Sequence, residues 1–460
     1  MGKMIGRRHI GVFQRSFTAV TATLISCAIA LPAYAAGGVQ VVRDAEVETL
    51  LRDYATPIFK LAGLKTSRVQ IVLVNDPSFN AFVDGQRIFV NTGALTAASV
   101  PNEIIGVIAH EAGHLAGGHQ QRLREQIAAA RTLAIVGGLL GAGAIAAGSI
   151  AGSSGGAQAG GALITATPGI AQRSLLSYRR SEEMNADQAA ARYLNATGQS
   201  IHGMLTTFER FSQSLSLSGV QVDKYQISHP LPRDRIALLE ELARKSKFFD
   251  AQDPKQLVVR HNLMRAKIAA YTGGAAAVAR LFSTDRNSLA ARYGDAIATD
   301  LAGNSAASLQ KLDALIREQP KNPYFHEFRG EVLIKLRKGD DAIKAFSQAV
   351  KLDRTKSPLI RARLGFALVA SGKPGNMGRA IEELRASLQS EPENYGAYRH
   401  LSQAYAQTGD VANAELVMAE GNFRAGNTKD AKVFAARALQ KLPKGSPGSL
   451  RANDILTIGK

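Results

Sequence analysis

The chain has 460 residues, 45% of them hydrophobic and 20% charged, which is enough for two or three domains with sizeable cores. Its 56 lysines and arginines exceed its 38 acidic residues, so the formal net charge is +18. The basic residues are scattered along the chain and are not interleaved with aromatic side chains. The composition therefore argues against a nucleic-acid partner and fits peripheral contact with an anionic membrane surface, or with acidic partners, better.

Residues 1–35 are predicted to be an export signal. A basic start from Lys3 to Arg15 precedes an uncharged run at 16–31, and Ala35 closes an Ala-Tyr-Ala cleavage site. The uncharged run is shorter than the roughly 20 apolar residues of a membrane span. Two alternatives stay open: the segment is an uncleaved anchor, or the chain is lipid-anchored through Cys27.

Cys27 is the single cysteine of the chain. A chain cleaved after Ala35 has no thiol, so disulfides and cysteine catalysis are excluded and any bound metal needs His, Glu or Asp ligands. An exported protein without cysteine fits the periplasm of a Gram-negative cell, which is the predicted location.

Residues 36–250 are predicted to form an α+β domain. Apolar residues at helical spacing predict a helix at 44–63, and "VQIVLV" predicts a strand at 69–74. The following "AFVDGQRIFVN" predicts a hairpin with an Asp-Gly turn, and a helix that contains His110 comes next. The pattern indicates a small sheet packed against helices.

Residues 132–172 form an insertion of 41 residues without a charge, 11 of which are glycine. We favour a hairpin of small residues packed over the domain, with "GSSGGAQAGG" at 152–161 as a mobile loop. A re-entrant or spanning membrane helix is the alternative, although Gly and Ala contribute little transfer free energy. The insertion is also long enough to cover a cleft.

Residues 255–445 are predicted to be helical hairpins that repeat every 34 to 38 residues, and 446–460 a C-terminal tail. Small residues recur where paired helices cross: Gly294, Gly330, Gly365 and Ser402 on the first helices, and Ala306, Ala342, Ala380 and Ala414 on the second. This period and these small residues resemble tetratricopeptide repeats, although the usual Trp is absent. Such an all-α solenoid presents a concave surface for peptides.

His110, Glu111 and His114 give the motif H-E-x-x-H. On a helix the two histidines lie one turn apart on one face, so both imidazoles can bind one ion. Glu111 is rotated about 100° from His110, where it can accept a proton from an activated water. The alternative is a pair of histidines satisfied within a core.

A catalytic zinc needs a third protein ligand. Glu183 is the candidate, and Asp187, one turn further on, is placed to accept the second N–H of a ligand histidine. Glu183 could instead be a solvated carboxylate near neighbouring arginines, which is the role we assign to Glu182. His119 lies about 140° round a continuous helix from His114, so we expect it to be structural or to support a ligand rather than bind the ion.

The motifs "HEAGH", "EMNAD" and "SHPLPRDR", in this order, resemble the zinc peptidases of the HtpX, Oma and BepA group, and "NAFVDGQRIFVNTGAL" is similar to their edge-strand region. The resemblance implies a zincin-like fold with one zinc on His110, His114 and Glu183. It also implies that His229 either stabilises the oxyanion or reaches the zinc, and that Arg235 supports the site. With the signal and repeats added, the chain is most similar to the BepA-like members.

The predicted function is a periplasmic zinc endopeptidase for quality control of outer-membrane and envelope proteins, with the repeats docking substrate or assembly machinery. We expect an extended substrate to add a strand along Arg87, Ile88, Phe89, Val90 and Asn91. The alternative is a chaperone or assembly factor whose zinc site is gated or nearly silent.

Overall fold

The computed structural model describes residues 33–35, 39–150, 154–217, 229 and 233–458. The signal predicted at 1–35 lies outside these residues except for its last three. Within the described part, no helix is both long enough and apolar enough to cross a membrane.

A five-stranded sheet lies in the N-terminal half. Its strands are β1 (Ala33–Ala35), β2 (Val39–Val42), β3 (Gln70–Val74), β4 (Ala81–Asp84) and β5 (Arg87–Asn91), in the order β1-β2-β3-β5-β4. The β3–β5 pair is parallel and the other pairs are antiparallel. β4 and β5 form the predicted hairpin with its two-residue turn at Gly85 and Gln86, where Gly85 has a φ of +62°.

The expectation that a substrate strand pairs with β5 is wrong, because both edges of β5 are occupied. All five β5 residues pair with β3 on one side, and 87–90 pair with β4 on the other. Strand order is set by non-local packing, which the local pattern of a hairpin does not encode. Among the described strands, β4 is the edge on this side. Asn91 donates to Asn80 O, so by antiparallel alternation the backbone groups of Ala81 and Val83 face outward.

Three helices cover the sheet: α1 (Ala45–Leu61), α2 (Thr92–Ala97) and α3 (Pro101–Gly117). α1 begins at Asp44, whose side chain accepts from Val47 N. α3 has Pro101 in its first turn and ends at Gly118, which adopts a left-handed φ of +65°. The apolar faces of these helices and the sheet form one core, in which His110 and Glu111 are also buried.

A long helical hairpin follows, made of α4 (His119–Ile150) and α5 (Ser154–Ala196). The expected mobile loop at 152–161 is therefore wrong for 154–161, which belong to α5. Leu139 and Leu140 of α4 are more than 60% exposed, so this part of the insertion does not pack over the domain. The C-terminal part of α5 returns to the core and packs on α3.

α6 (His202–Leu217) and α7 (Arg233–Arg244) complete the domain, and α8 (Lys255–Leu281) leads out of it, with a break at Gly273 and Gly274. The remaining ten helices are α9 (Leu289–Leu301), α10 (Ser305–Glu318), α11 (Pro323–Lys335), α12 (Gly339–Leu352), α13 (Pro358–Ala370), α14 (Met377–Ser390), α15 (Tyr395–Gln407), α16 (Val411–Arg424), α17 (Thr428–Leu439) and α18 (Pro447–Thr457). Successive helices pack on one another, as the predicted solenoid requires. α18 falls within the predicted C-terminal tail and buries Ala452 and Ile455.

The first repeat is shifted by two residues from the predicted spacing. The eighth residue of α9 is Ala296, which corresponds to Gly330 of α11, so Gly294 is not the equivalent position. Likewise Ser308, not the exposed Ala306, is the fourth residue of α10 and is fully buried. The Ser308 hydroxyl donates to Ala296 O at 2.7 Å, so a serine serves at a crossing where the sequence pattern favours alanine.

The start of α1 packs against the repeats. Ala45 is buried with Ala349 and Ile360, and Arg43 forms an ion pair with Glu391. Beside it lies a group of polar side chains that we call the interface cluster, comprising the buried Glu46, Lys267, Tyr293 and Glu327 and the half-buried Asp44. The repeats are therefore joined to the N-terminal domain by apolar and polar contacts.

Candidate metal centre

Two helices that cross closely bring the predicted ligands together. His110 and His114 project from α3, and Glu183 projects from α5. A side chain on Gly113 would place its Cβ 3.0 Å from Ala186 O and 3.1 Å from Ala186 Cα, so glycine permits this approach. The glycine within the H-E-x-x-H motif thus sets the distance between the two ligand-bearing helices.

The imidazoles and the carboxylate converge on one point. The Nε2 atoms of His110 and His114 are 3.0 Å apart, and each lies 3.4 Å from an oxygen of Glu183. His229 joins them, with its Nδ1 3.3 Å from His110 Nε2 and 3.1 Å from Glu183 Oε1. We call these four residues the donor cluster; their ligand atoms all lie within 4.8 Å of one another.

Glu111 lies beside the donor cluster and is fully buried. Its Oε1 is 3.5 Å from His229 Nε2, and within the described residues neither carboxylate oxygen has a hydrogen-bond partner. A buried carboxylate with free acceptor capacity next to a group of ligands has the arrangement that a general base requires.

Asp187 and Arg235 hold the far side of His110. His110 Nδ1 lies 2.9 Å from Asp187 Oδ1, and Arg235 donates to both Asp187 oxygens at 2.6 and 2.8 Å. Arg235 Nη1 also lies 2.9 Å from Glu183 Oε2. The sequence indicated Asp187 for this position from its spacing and Arg235 from the resemblance, and the structure places both there.

These contacts decide which groups carry charge. Burial alone would lower the pKa of His110, but Asp187 and Glu183 raise it to about 10. Burial also acts to raise the pKa of Glu183, yet the neighbouring His229, His110 and His114 hold it well below its usual range. The pKa of Asp187 is likewise lowered, because Arg235 and His110 outweigh its burial. Both carboxylates are therefore ionised.

Glu182 is not the solvated carboxylate that we expected. It is buried, with its Oε2 2.7 Å from His119 Nε2 and 2.9 Å from Arg122 Nη2. His119 in turn contacts His114, with 2.8 Å between their Nδ1 atoms. The angle calculated for a continuous helix does not apply, because α3 ends at Gly118. The adjacent glycines at 117 and 118 were the sequence signal for this break.

The donor set fits a metal ion. Three imidazoles and one carboxylate are ligands that zinc prefers, and three protein ligands with a fourth position nearby match a catalytic zinc site. The second nitrogen of each motif histidine also has a partner, Asp187 for His110 and His119 for His114, as ligand histidines almost always do. The ligand types and the partners behind the two motif histidines are therefore those of a metal site.

Family comparison agrees with the fold and the site. Residues 42–243 match the model of peptidase family M48, and residues 302–357 and 373–427 match a tetratricopeptide repeat model. The chain thus carries an M48 peptidase domain followed by tetratricopeptide repeats, and it is a protease of a metallopeptidase family. The resemblance and the α+β and all-α fold classes predicted from the sequence are confirmed.

Curated relatives align with this sequence over most of its length. The "Beta-barrel assembly-enhancing protease" of Escherichia coli (strain K12) is 21% identical over 382 residues, which cover 81% of this chain and 75% of the relative. The protein of the same name from Yersinia pestis is 25% identical, covering 73% of this chain and 68% of its own length. Among solved structures, YrrB, a tetratricopeptide repeat protein, covers 38% of this chain and 91% of its own length at 16% identity, with a TM-score of 0.32.

Proposed function

We propose that the chain is a zinc-dependent endopeptidase of the bacterial periplasm that acts on outer-membrane and envelope proteins. The observation that carries this proposal is the donor cluster beside the buried Glu111, whose carboxylate accepts no hydrogen bond from the residues that the structure describes. His110, His114 and Glu183 would hold one zinc per chain. The names of the relatives support a role in β-barrel assembly, and the sequence pattern of residues 1–35 supports export.

The residues divide the chemistry among themselves. When bound, zinc supplies a Lewis acid that lowers the pKa of a water and polarises the scissile carbonyl. Glu111 accepts the proton of the attacking water and delivers it to the leaving amine, so the peptide bond breaks with no net proton change. Arg235 and His110 keep Asp187 ionised, Arg235 also pairs with Glu183, and Asp187 fixes the orientation of His110.

The substrate binds as an extended strand along β4 in this proposal, which replaces the strand pairing first expected for Arg87–Asn91. The outward backbone groups of Ala81 and Val83 supply hydrogen bonds, and β5 supports β4 from behind. Such pairing recognises backbone more than side chains, which suits a protease for unfolded β-rich chains. The repeats would dock these clients or their assembly machinery.

A second candidate function rests on His229. Its Nδ1 reaches the same point as the three predicted ligands, so His229 can serve as a fourth ligand and close the open position. In that arrangement the chain acts mainly as a chaperone or assembly factor with a gated site. The alternative role for His229 is an N–H donor to the oxyanion of the intermediate.

Replacing Glu111→Gln separates the two functions. We expect cleavage of an unfolded β-barrel protein to fall about 10²- to 10⁴-fold while zinc content stays near one per chain, because Glu111 is the base and not a ligand. Glu209→Gln, an exposed carboxylate of α6, is the matched control and should cleave normally. If Glu111→Gln fully restores a deletion strain, proteolysis is not the main role and the second function stands.

Replacing His229→Ala tests the fourth position. Cleavage rises if His229 blocks the site as a ligand, and it falls about 10²-fold or more if His229 stabilises the oxyanion. Steady-state cleavage of the same substrate, with zinc content measured in parallel, distinguishes these outcomes. Unchanged turnover would remove His229 from both roles.

A further inference from the structure

A chain of polar contacts runs behind His114, on the side away from the donor cluster. His114 Nδ1 lies 2.8 Å from His119 Nδ1, and His119 Nε2 lies 2.7 Å from Glu182 Oε2. Arg122 Nη2 is 2.9 Å from the same oxygen. His119 and Glu182 are both buried, so water does not substitute for these partners at low cost.

The hydrogen-bond pattern assigns the protons along this chain. His114 directs Nε2 toward the donor cluster, so a ligand His114 is neutral and carries its proton on Nδ1. One proton fits between two Nδ1 atoms 2.8 Å apart, so His119 accepts there and carries its own proton on Nε2. That N–H donates to Glu182, whose negative charge is supported by Arg122.

The local backbone is built for this contact. α3 ends at Gly118, and His119 then folds back over Gly117. A Cβ at Gly117 would lie 2.2 Å from His119 Nε2, so a side chain at 117 would displace the ring. The glycine pair therefore both ends the helix and leaves the space that the His119 imidazole occupies.

We propose that His119 and Glu182 are positioning residues that fix the tautomer and ring orientation of His114 for metal binding. Behind His110, the carboxylate of Asp187 contacts the ligand ring directly. Behind His114, the imidazole of His119 lies between the ligand ring and the carboxylate of Glu182. The proposal rests on the metal centre proposed above, and it adds two residues that the three-ligand pattern does not include. Partners of this kind typically strengthen metal affinity about 10- to 100-fold.

Zinc affinity tests the proposal independently of proteolysis. The purified mature chain competes with a chromophoric chelator for Zn²⁺, which gives a Kd for each variant. We expect His119→Ala to raise the Kd about 10- to 100-fold. We expect His119→Gln to restore most of the affinity, because its amide can accept from His114 and donate to Glu182. His202→Ala removes an exposed imidazole of the same domain and should leave the Kd unchanged.

A spectroscopic readout separates positioning from general destabilisation. With Co²⁺ in place of Zn²⁺, the visible absorption bands should change in His119→Ala but not in His202→Ala. Should His119→Ala fail to fold, Glu182→Gln, which removes the charge with almost no change of shape, carries the test with an expected rise in Kd of about 3- to 10-fold.

Two results would overturn the proposal: a wild-type Kd in His119→Ala, or equal weakening by Ala and Gln, which would mean that hydrogen bonds to His114 and Glu182 from this position do not support metal binding. Failure of the underlying metal centre looks different. In that case the wild-type chain binds no zinc, or Glu183→Ala binds it as tightly as the wild type.

Discussion

The donor cluster and the interface cluster both contain buried carboxylates, but the pKa values of these carboxylates are shifted in opposite directions. Glu183 of the donor cluster and Asp187 behind it face Arg235 and the histidines, and the pKa of each lies below its usual range. In the interface cluster, Lys267 serves several carboxylates at once. Burial raises the pKa of Glu46, and it raises the pKa of Glu327 to about 8.

The number and geometry of donors explain the difference. Arg235 is fully buried and directs three nitrogens at two carboxylates, with contacts of 2.6 to 2.9 Å. Lys267 offers one ammonium, 2.7 Å from Asp44 and 3.2 Å from Glu46. A buried carboxylate stays ionised only where donors outweigh desolvation. The site therefore has fixed charge, whereas the interface can take up protons.

Arg235→Met should have the largest effect on stability. It leaves Asp187 and Glu183 buried without their cation, which typically costs about 3–5 kcal/mol. Urea unfolding of the metal-free chain measures the loss, with Arg192→Met, an exposed arginine on α5, as the control. A loss below 1 kcal/mol would show that the histidines alone satisfy the two carboxylates and would remove the contrast between the clusters.

Lys267→Met should cost less, about 1–3 kcal/mol at neutral pH. Burial already raises the pKa of Glu46 although Lys267 lowers it, so loss of the ammonium favours proton uptake by this carboxyl over an unpaired buried charge. The same unfolding experiment measures this, and Lys351→Met, an exposed lysine of α12, is the control. A loss equal to that of Arg235→Met would mean that the interface carboxylates are as firmly ionised as those of the site.

Glu327→Gln should have the smallest effect at pH 5, where the folded wild-type side chain is protonated and uncharged like glutamine, and its consequence appears in the pH dependence. Burial raises the folded-state pKa of Glu327 from its ordinary value of 4.5 to about 8, so the unfolded chain releases its proton first as pH rises. Stability therefore declines between about pH 4.5 and 8, by at most about 1.4 kcal/mol per pH unit. Lys267 and Arg363 oppose the shift, whereas Glu331 and Asp44 add to it.

The glutamine variant lacks this proton, so its unfolding free energy should fall less than that of the wild type between pH 5 and pH 8. Thermal or urea unfolding at both pH values measures the difference. Parallel declines in the two proteins would place the folded-state pKa of Glu327 near its ordinary value, and the interface would then resemble the donor cluster.

Local spacing in the sequence was sufficient to predict parts of the N-terminal domain and of the repeats. One helical turn separates His110 from His114, and another separates Glu183 from Asp187, so two short patterns defined the faces that meet. The two-residue turn of the β4–β5 hairpin was equally local. The alternation of helices in the repeats followed from recurring small residues, because paired helices need them where they cross.

Other features depend on contacts that no local pattern encodes. The position of β5 between β3 and β4 is decided by pairing between distant segments. A supporting role for His119 was expected, but its partners were not, because its angle was calculated for a helix that Gly118 interrupts. The two-residue shift at Ala296 and Ser308 arose because Gly294 and Ala306 are also small, and composition alone does not distinguish them.

The crossing of α3 and α5 at Gly113 and Ala186 also determines which parts of the chain can change without moving the predicted ligands. Glu183 is held at the base of a helical hairpin, while the distal parts of α4 and α5 project away from it. Of the 68 residues between His114 and Glu183, those at the root of the hairpin, such as His119 and Glu182, lie behind a predicted ligand, whereas the distal ones that the structure describes do not contact the donor cluster. The distal part of the hairpin can therefore differ in length or composition without moving the ligands, provided that residue 113 of α3 stays as small as glycine.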